Sequence, residues 1–327
     1  MIQYTIRRLL SLIPVIIGAS IFIFLLVHLA PGDPVRIMLG EDAEPEAVER
    51  LNRIYGFDQP LPVQYLRWAG NAIQGDLGTS IRQRVPVTSL IYERAGATIE
   101  LALASLFIAV AIGVPLGVLA AVRRNTWIDF ASLFIALVGV SLPNFWLALV
   151  LLSQVALHVD WMPIFGRGPP FGDAFWHLLT TGNVGPLWDS ARYLLLPAVA
   201  LGTAIMALIT RLTRASLLEV LGKDFVRTAR AKGVVGYLVV YKHGLRNALL
   251  PVITVVGLQF GFLLGGSVVT EVVFAWPGIG RLIVNAISQR DFPVVQGSIL
   301  LLTMLFVLVN LLVDLSYGLL NPRVRYD

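Results

Sequence analysis

The chain has 327 residues, of which 57% are hydrophobic and 14% charged, with a net charge of +5. A soluble domain carries about a quarter charged residues, so this composition excludes a soluble enzyme and places most of the chain in a bilayer. Zero cysteines exclude disulfides, thiolate metal sites and cysteine nucleophiles.

Crossing a bilayer takes about 20 apolar residues. Six runs of that kind are present: Leu9 to Ala30, Thr98 to Val122, Phe130 to Leu157, Tyr193 to Ile209, Ala248 to Thr270 and Val294 to Leu319. The expected fold is therefore an all-α polytopic membrane protein with six transmembrane helices. Arg7-Arg8 before the first run imitates a signal peptide, but the run's length and the poor cleavage step at Ala30-Pro31 predict a retained anchor. The third run carries Ser141-Leu142-Pro143 at its middle, which fits one kinked helix or a re-entrant pair.

Charge decides between them. With six crossings and the N-terminus inside, the cytoplasmic segments hold Arg7, Arg8, Arg123, Arg124, Arg211, Arg214, Lys223, Arg227, Arg230, Lys232, Lys242, Arg246, Arg323 and Arg325. The same segments hold the acids Asp129, Glu219, Asp224, Asp314 and Asp327, so the inside carries +9 and, out of a total of +5, the outside −4. A re-entrant third run would move Arg211 to Arg246 outside, against the positive-inside tendency. One crossing is expected, with both termini cytoplasmic.

Two segments fall outside. Residues 31–97 form a polar region with an acidic patch (Glu41, Asp42, Glu44, Glu46, Glu49) and turn signals at Pro31-Gly32-Asp33-Pro34, Gly56, Pro60, Pro62 and Gly75, and are expected to make a small extracytoplasmic subdomain. His158 to Arg192 is rich in glycine, proline and aromatics, including Trp161, Phe165, Phe171, Phe175, Trp176 and Trp188, and suits the headgroup level.

Arg211 to Asn247 is the longest cytoplasmic stretch. Gly222 ends the helix continuing from the fourth span, Asp224 is placed as N-cap, Phe225 to Lys232 makes about two turns, and Gly233 stops it. Phe225, Val226 and Ala229 share one face, with Arg227 and Arg230 on another and Lys232 at the C-terminal end of the dipole. So short a helix is unstable alone and needs something to pack on. Pattern alone supports two readings equally: a surface loop whose cations meet anionic lipid, or a docking helix.

The segment Arg227-Thr228-Ala229-Arg230-Ala231-Lys232-Gly233, followed by His243-Gly244-Leu245-Arg246-Asn247-Ala248-Leu249-Leu250-Pro251, resembles the cytoplasmic loop of permease subunits of binding-protein-dependent ABC importers. The general family opens this loop with Glu-Ala-Ala, whereas Arg-Thr-Ala is similar to the peptide and nickel branch. The resemblance spans the chain, through Pro31-Gly32-Asp33-Pro34, Gly75-Asp76-Leu77-Gly78-Thr79-Ser80, Trp276-Pro277-Gly278-Ile279-Gly280-Arg281, Arg290-Asp291-Phe292-Pro293-Val294-Val295-Gln296-Gly297 and Asn321-Pro322-Arg323.

This resemblance implies a type I ABC importer permease fold: residues 1–30 as the first span, 31–97 outside, 98–319 as the core with its coupling loop 211–247, and 320–327 as a cytoplasmic tail. It implies a second related permease, two ATP-binding subunits and an extracytoplasmic solute-binding protein as partners, in a bacterial or archaeal cytoplasmic membrane, with no nucleic acid. It also implies ATPase coupling through Asp224, Phe225, Arg227, Thr228, Ala229, Arg230, Ala231, Lys232, Gly233, His243, Arg246, Asn247 and Pro251. The implied cargo is short peptides, dipeptides foremost; oligopeptides, glutathione, nickel chelates and haem are the other cargoes of such permeases. The chain lacks a phosphate-binding loop of its own, since its one Gly-Lys pair, Gly222-Lys223, is preceded by Leu217 at the first glycine position and followed by Asp224. ATP and Mg²⁺ are expected on the partner subunits and no cofactor on this chain.

Other chemistry is weaker. Gly139-Val140-Ser141-Leu142 imitates a serine motif, but His28 and His243 lie near span ends, at the wrong depth to serve Ser141 as base. His158 and His177 with Asp160 and Asp173 are expected to sit in water on the outer loop sooner than to hold a metal ion. Thr203, Thr254, Gln259, Thr270 and Asn310 are read as interhelical hydrogen-bonding groups, with no pore site assigned, and Asp314 as a snorkelling or paired structural acid. Gly257, Gly261, Gly265 and Gly266 offer a close-packing stripe for a permease dimer seam. The rival classes are an ion-coupled secondary transporter or channel, for which inverted repeats and buried ion-binding acids are not evident, and a membrane-anchored sensor or scaffold.

Overall fold

The computed structural model describes residues 2–29, 44–56 and 58–320. The turn at Pro31 to Pro34, the acids Glu41 and Asp42, and the end from Asn321, with Arg323, Arg325 and Asp327, lie outside the described residues, as does the side chain of His28. The elements are α1 (Ile2–Leu29), α2 (Pro45–Tyr55), α3 (Leu61–Ile73), α4 (Val87–Val122), α5 (Trp127–Ser141), α6 (Asn144–Ala156), α7 (Phe171–Thr181), α8 (Gly185–Leu221), α9 (Asp224–Ala231), α10 (Gly236–Gly266), α11 (Val268–Val273), α12 (Ile279–Ser288) and α13 (Phe292–Leu320). Among the described residues there is no strand, only one antiparallel bridge between Thr79 and Pro86.

Five of these helices are long and apolar enough to cross a membrane, and α5 with α6 makes a sixth candidate bent by 101° at Leu142-Pro143. Several outrun the apolar runs: α4 begins at Val87, and α8 extends from Gly185 to Leu221. Hydropathy sees only the part that needs hydrocarbon, whereas the backbone ladder continues into polar turns that suit either end of a span. The fifth span differs in the other direction. It ends at Gly266, and Thr270, expected within it, belongs to the separate helix α11.

The core is α4 against α8. A Cβ at Gly202 would stand 2.6 Å from the Ser105 carbonyl, at Gly113 2.8 Å from that of Met206, and at Gly117 2.7 Å from that of Thr210, so small residues let the two backbones approach closely. Positions 105, 113 and 117 thus meet 202, 206 and 210 in the same order, which makes α4 and α8 parallel. The chain between parallel spans has to cross back once. α5 and α6 do so along α8: Asp129 binds Arg214, Gly139 lies against Thr203 and Ala207, and Ala148 and Ala156 cluster with Leu196 and Ala200. From Arg214 back to Leu196 is about 27 Å at 1.5 Å per residue, close to the hydrocarbon thickness. The third run is a single broken span.

The other ends are pinned by charge. Arg8 of α1 donates through Nε to Asp314 Oδ2 of α13 at 2.7 Å, with a second contact from its Nη2, so Asp314 is a paired structural acid. Asp129 accepts from Arg214 Nε and Nη2 at 2.6 and 2.7 Å. Leu61 to Ile73 folds back on the first span, where Tyr65 Oη lies 2.9 Å from Ser20 Oγ and its ring meets Phe24 edge-on. Two of the four glycines of the α10 stripe are spent inside the chain: Gly257 lies against Val313, and Gly261 against Asn310 and Phe306 of α13. A dimer seam at these two positions is therefore corrected to an intramolecular contact.

Candidate functional site

α9 is held by very little. Only Val226 and Ala229 are buried, clustering with Val239 and flanked by Leu221 and Val234. The helix is thereby wedged between the end of α8 and the start of α10. Its C-terminus is a Schellman turn: Val234 N–H donates to Ala229 O at 3.2 Å and Gly233 N–H to Arg230 O at 3.0 Å, with Gly233 at φ +77°. Val234 and Ala229 supply the hydrophobic contact that accompanies such turns.

Two local expectations are corrected. Lys223, with extended backbone, takes the N-cap position, and Asp224 is the first helical residue, because α8 continues through Leu221 and Gly222 stays in right-handed conformation. Phe225 is 45% exposed and stands off the buried face, since burial centres between Val226 and Ala229 and leaves residue 225 to one side. Asp224, Arg227, Thr228, Arg230, Ala231, Lys232 and Gly233 are exposed with it. Arg227 lies 3.6 Å from Asp224, a solvated pair of small worth, and Thr228 Oγ1 donates to Asp224 O at 3.0 Å.

The second half of the predicted loop runs directly into the fifth span. Val239–Leu245 is π-helical, and within it Gly244 is buried against Leu217 and Leu221, with His243 half-buried. Asn247 Nδ2 donates to His243 O at 2.8 Å, Arg246 and Asn247 are exposed, and Pro251 sits inside α10. The fold brings α9 beside this stretch through Val239, while Pro251 lies on the span itself, beyond that cluster. Tyr237 and Tyr241, both exposed, add aromatic surface that the sequence reading passed over.

At the opposite end, three of the quoted motifs fold around two buried carboxylates. Glu271 Oε1 accepts from Thr98 Oγ1 at 2.8 Å and Ser267 Oγ at 2.9 Å, and Oε2 accepts from the Arg281 N–H at 3.0 Å. A Cβ at Gly278 would fall onto this carboxylate, so Trp276 to Arg281 is a wrap that delivers the N-terminus of α12 to Glu271. Trp276 Nε1 donates to Ala97 O and Ile279 N–H to Thr98 Oγ1, both at 2.8 Å. Burial pushes the Glu271 carboxyl above its ordinary range, opposed by these donors. Asp291 Oδ2 accepts from Ser80 Oγ at 2.5 Å and Oδ1 from the Ile81 N–H at 3.1 Å, which joins Gly75 to Ser80 with Arg290 to Gly297. The sequence reading missed Glu271, although an acid among apolar neighbours was a readable signal.

The remaining candidates separate. Thr203 and Thr254 donate to Val199 O and Leu250 O of their own helices, so neither is an interhelical link. Ser141 likewise donates to Leu137 O. Among the described residues no group of three His, Asp or Glu is placed to hold a metal ion.

A bundle with one span broken at mid-membrane and a short helix seated between two spans is the architecture of an importer's membrane subunit. The chain belongs to the family of binding-protein-dependent transport system inner membrane components, which matches residues 113–326, with that family's N-terminal region matching residues 1–102. It is 47% identical over 333 residues to the dipeptide transport system permease protein DppB of Alkalihalophilus pseudofirmus, covering 100% of both chains. It is 44% identical to DppB of Escherichia coli K12, covering 100% of this chain and 99% of that one. The glutathione transport system permease protein GsiC of Escherichia coli K12 is also 44% identical, over 100% of both. In fold it is similar to the MetNI methionine ABC transporter solved in inward-facing conformations, at a TM-score of 0.57 and 20% identity over 71% of this chain and 96% of that one. The chain is a multi-pass inner-membrane permease subunit of an ABC importer, not an enzyme.

Proposed function

We propose that this permease carries short peptides, dipeptides foremost, delivered by an extracytoplasmic solute-binding protein, and that it pairs with a second related permease. Two separate subunits bind ATP and Mg²⁺ and hydrolyse the nucleotide; this chain holds no cofactor. Both termini and α9 face the cytoplasm, and residues 31–97 and the Glu271 wrap face outward. α9 docks on an ATPase subunit.

The observation that carries the reading is the division of α9: Val226 and Ala229 are anchored on α8 and α10, while Phe225, Arg227, Thr228 and Arg230 are presented outward. A short helix so anchored moves as one body with the two spans it touches. Displacement of the ATPase is then passed to the bundle as a rigid-body step. The chemistry of the exposed face, cations around an aromatic ring, fits an acidic cleft with an apolar floor.

Proteoliposomes containing both permeases, both ATPases and the binding protein test it. ATP-dependent accumulation of labelled dialanine is expected, and accumulation without ATP refutes the reading. Ala229→Trp is expected to abolish uptake while the complex remains in the membrane.

A further inference from the structure

A cavity of about 250 Å³ opens where the third span breaks, lined by Asn144, Leu201, Ala204, Ile205, Gln259, Phe262 and Leu263. Three helices contribute: Asn144 is the first residue of α6, Leu201 to Ile205 lie on α8, and Gln259 to Leu263 on α10. Its depth follows from α8. Ile205 is about 14 Å from Arg214, which marks one end of the span through its pair with Asp129, and Leu201 is about 12 Å from Tyr193 toward the other. The cavity sits near mid-membrane.

Its two polar residues make no side-chain hydrogen bond among the described residues, and both are partly exposed. The threonines of the same spans bond back to their own helices. Asn144 and Gln259 make no such bond, and leaving an amide unpaired against lipid is costly. Two such amides at one cavity mark a surface that meets water or a polar solute.

We propose that Asn144 and Gln259 form a transit site for the peptide bond of the cargo. Each primary amide donates and accepts, which matches the N–H and C=O of a peptide linkage. Phe262, backed by the buried Leu201 and Ile205, supplies apolar surface for small side chains, and the lining holds no charge to grip the cargo's termini. Neutral hydrogen bonds are weak enough that the cargo leaves again, as a conducting site requires. The inference rests on the peptide reading of the transporter.

The chain has no cysteine, so Asn144→Cys and Gln259→Cys in the full complex can be labelled with a membrane-impermeant thiol reagent. Both are expected to react from water, with protection by dialanine under transport conditions and none by alanine. In Asn144→Leu and Gln259→Leu, maximal uptake is expected to fall roughly two- to tenfold, with the binding protein's affinity for dialanine unchanged. Failure of the unsubstituted complex to take up dialanine would overturn the peptide reading and the ligand named here together. Normal uptake by the unsubstituted complex, with unreactive thiols or labelling that dialanine does not slow, would overturn this site alone; unreactive thiols would assign the amides to a buried contact.

Discussion

Around Glu271 and Asp291 every polar group named is answered from within the chain, by Thr98, Ser267, Arg281, Ser80 and Ile81. Around α9 only Val226 and Ala229 are buried, and the rest of the helix is turned outward. The two regions therefore owe their stability to different sources. The Glu271 wrap is closed on itself, so its residues act on folding. The α9 surface is left incomplete by its own chain, and under the docking proposed above its residues act on association.

That contrast breaks first at Glu271. Glu271→Ala strips the acceptor from two hydroxyls and the N-terminus of α12 in a buried setting, and is expected to cost on the order of 3 kcal/mol. Thermal unfolding of the purified complex checks it; an unchanged midpoint would mean that the wrap is not a stability element. Gly278→Ala should follow it in kind, because its Cβ displaces the same carboxylate.

On the α9 side the expected effect moves from stability to coupling. Gly233→Pro removes the N–H bonded to Arg230 O and cannot adopt φ +77°. Uptake should be lost, with the complex's ATPase activity no longer stimulated by the loaded binding protein, while the midpoint of the membrane core moves by no more than about 1 kcal/mol equivalent. A fall in the thermal midpoint as large as that of Glu271→Ala would erase the distinction between the two ends. Arg227→Glu is milder: its intrachain pair with Asp224 is solvated, so any loss beyond a few tenths of a kcal/mol reports the partner. A several-fold fall in stimulated ATPase rate, steeper at low salt, is expected.

Much of this was legible beforehand, for reasons that differ by residue. Six apolar runs are long because hydrocarbon demands it, and α9 was bracketed by Gly222 and Gly233 because helix ends need particular backbone. Spacing puts Phe225 on one face with Val226 and Ala229, but two turns leave the helical phase to be fixed by only two contacts, Val226 and Ala229, which no periodicity rule supplies. Thr203 and Thr254 suggest links between helices by residue type alone, whereas a threonine hydroxyl in a span can bond its own i−4 carbonyl, as both of these do. The glycines of α10 announced close packing without saying against what; Val313 and Phe306 answer from within.

The smallest effect sharpens the contrast by titration. Burial raises the Glu271 carboxyl, against the Arg281 N–H and the Thr98 and Ser267 hydroxyls. Below the unfolded value of about 4.5 the group is neutral in both states and its contribution is fully present. As pH rises, the unfolded chain ionises first and is favoured, so the contribution is lost progressively until the folded value is passed. Thermal midpoints of the complex measured from pH 4 to 8 should therefore fall more steeply with pH than those of Glu271→Gln, which cannot ionise. Exchanging Lys223, Arg227 or Arg230 on the exposed α9 surface for glutamine should leave the slope unchanged. If the Gln variant retains the slope, the dependence arises elsewhere, and the wrap around Glu271 is no more responsive to pH than the exposed face of α9.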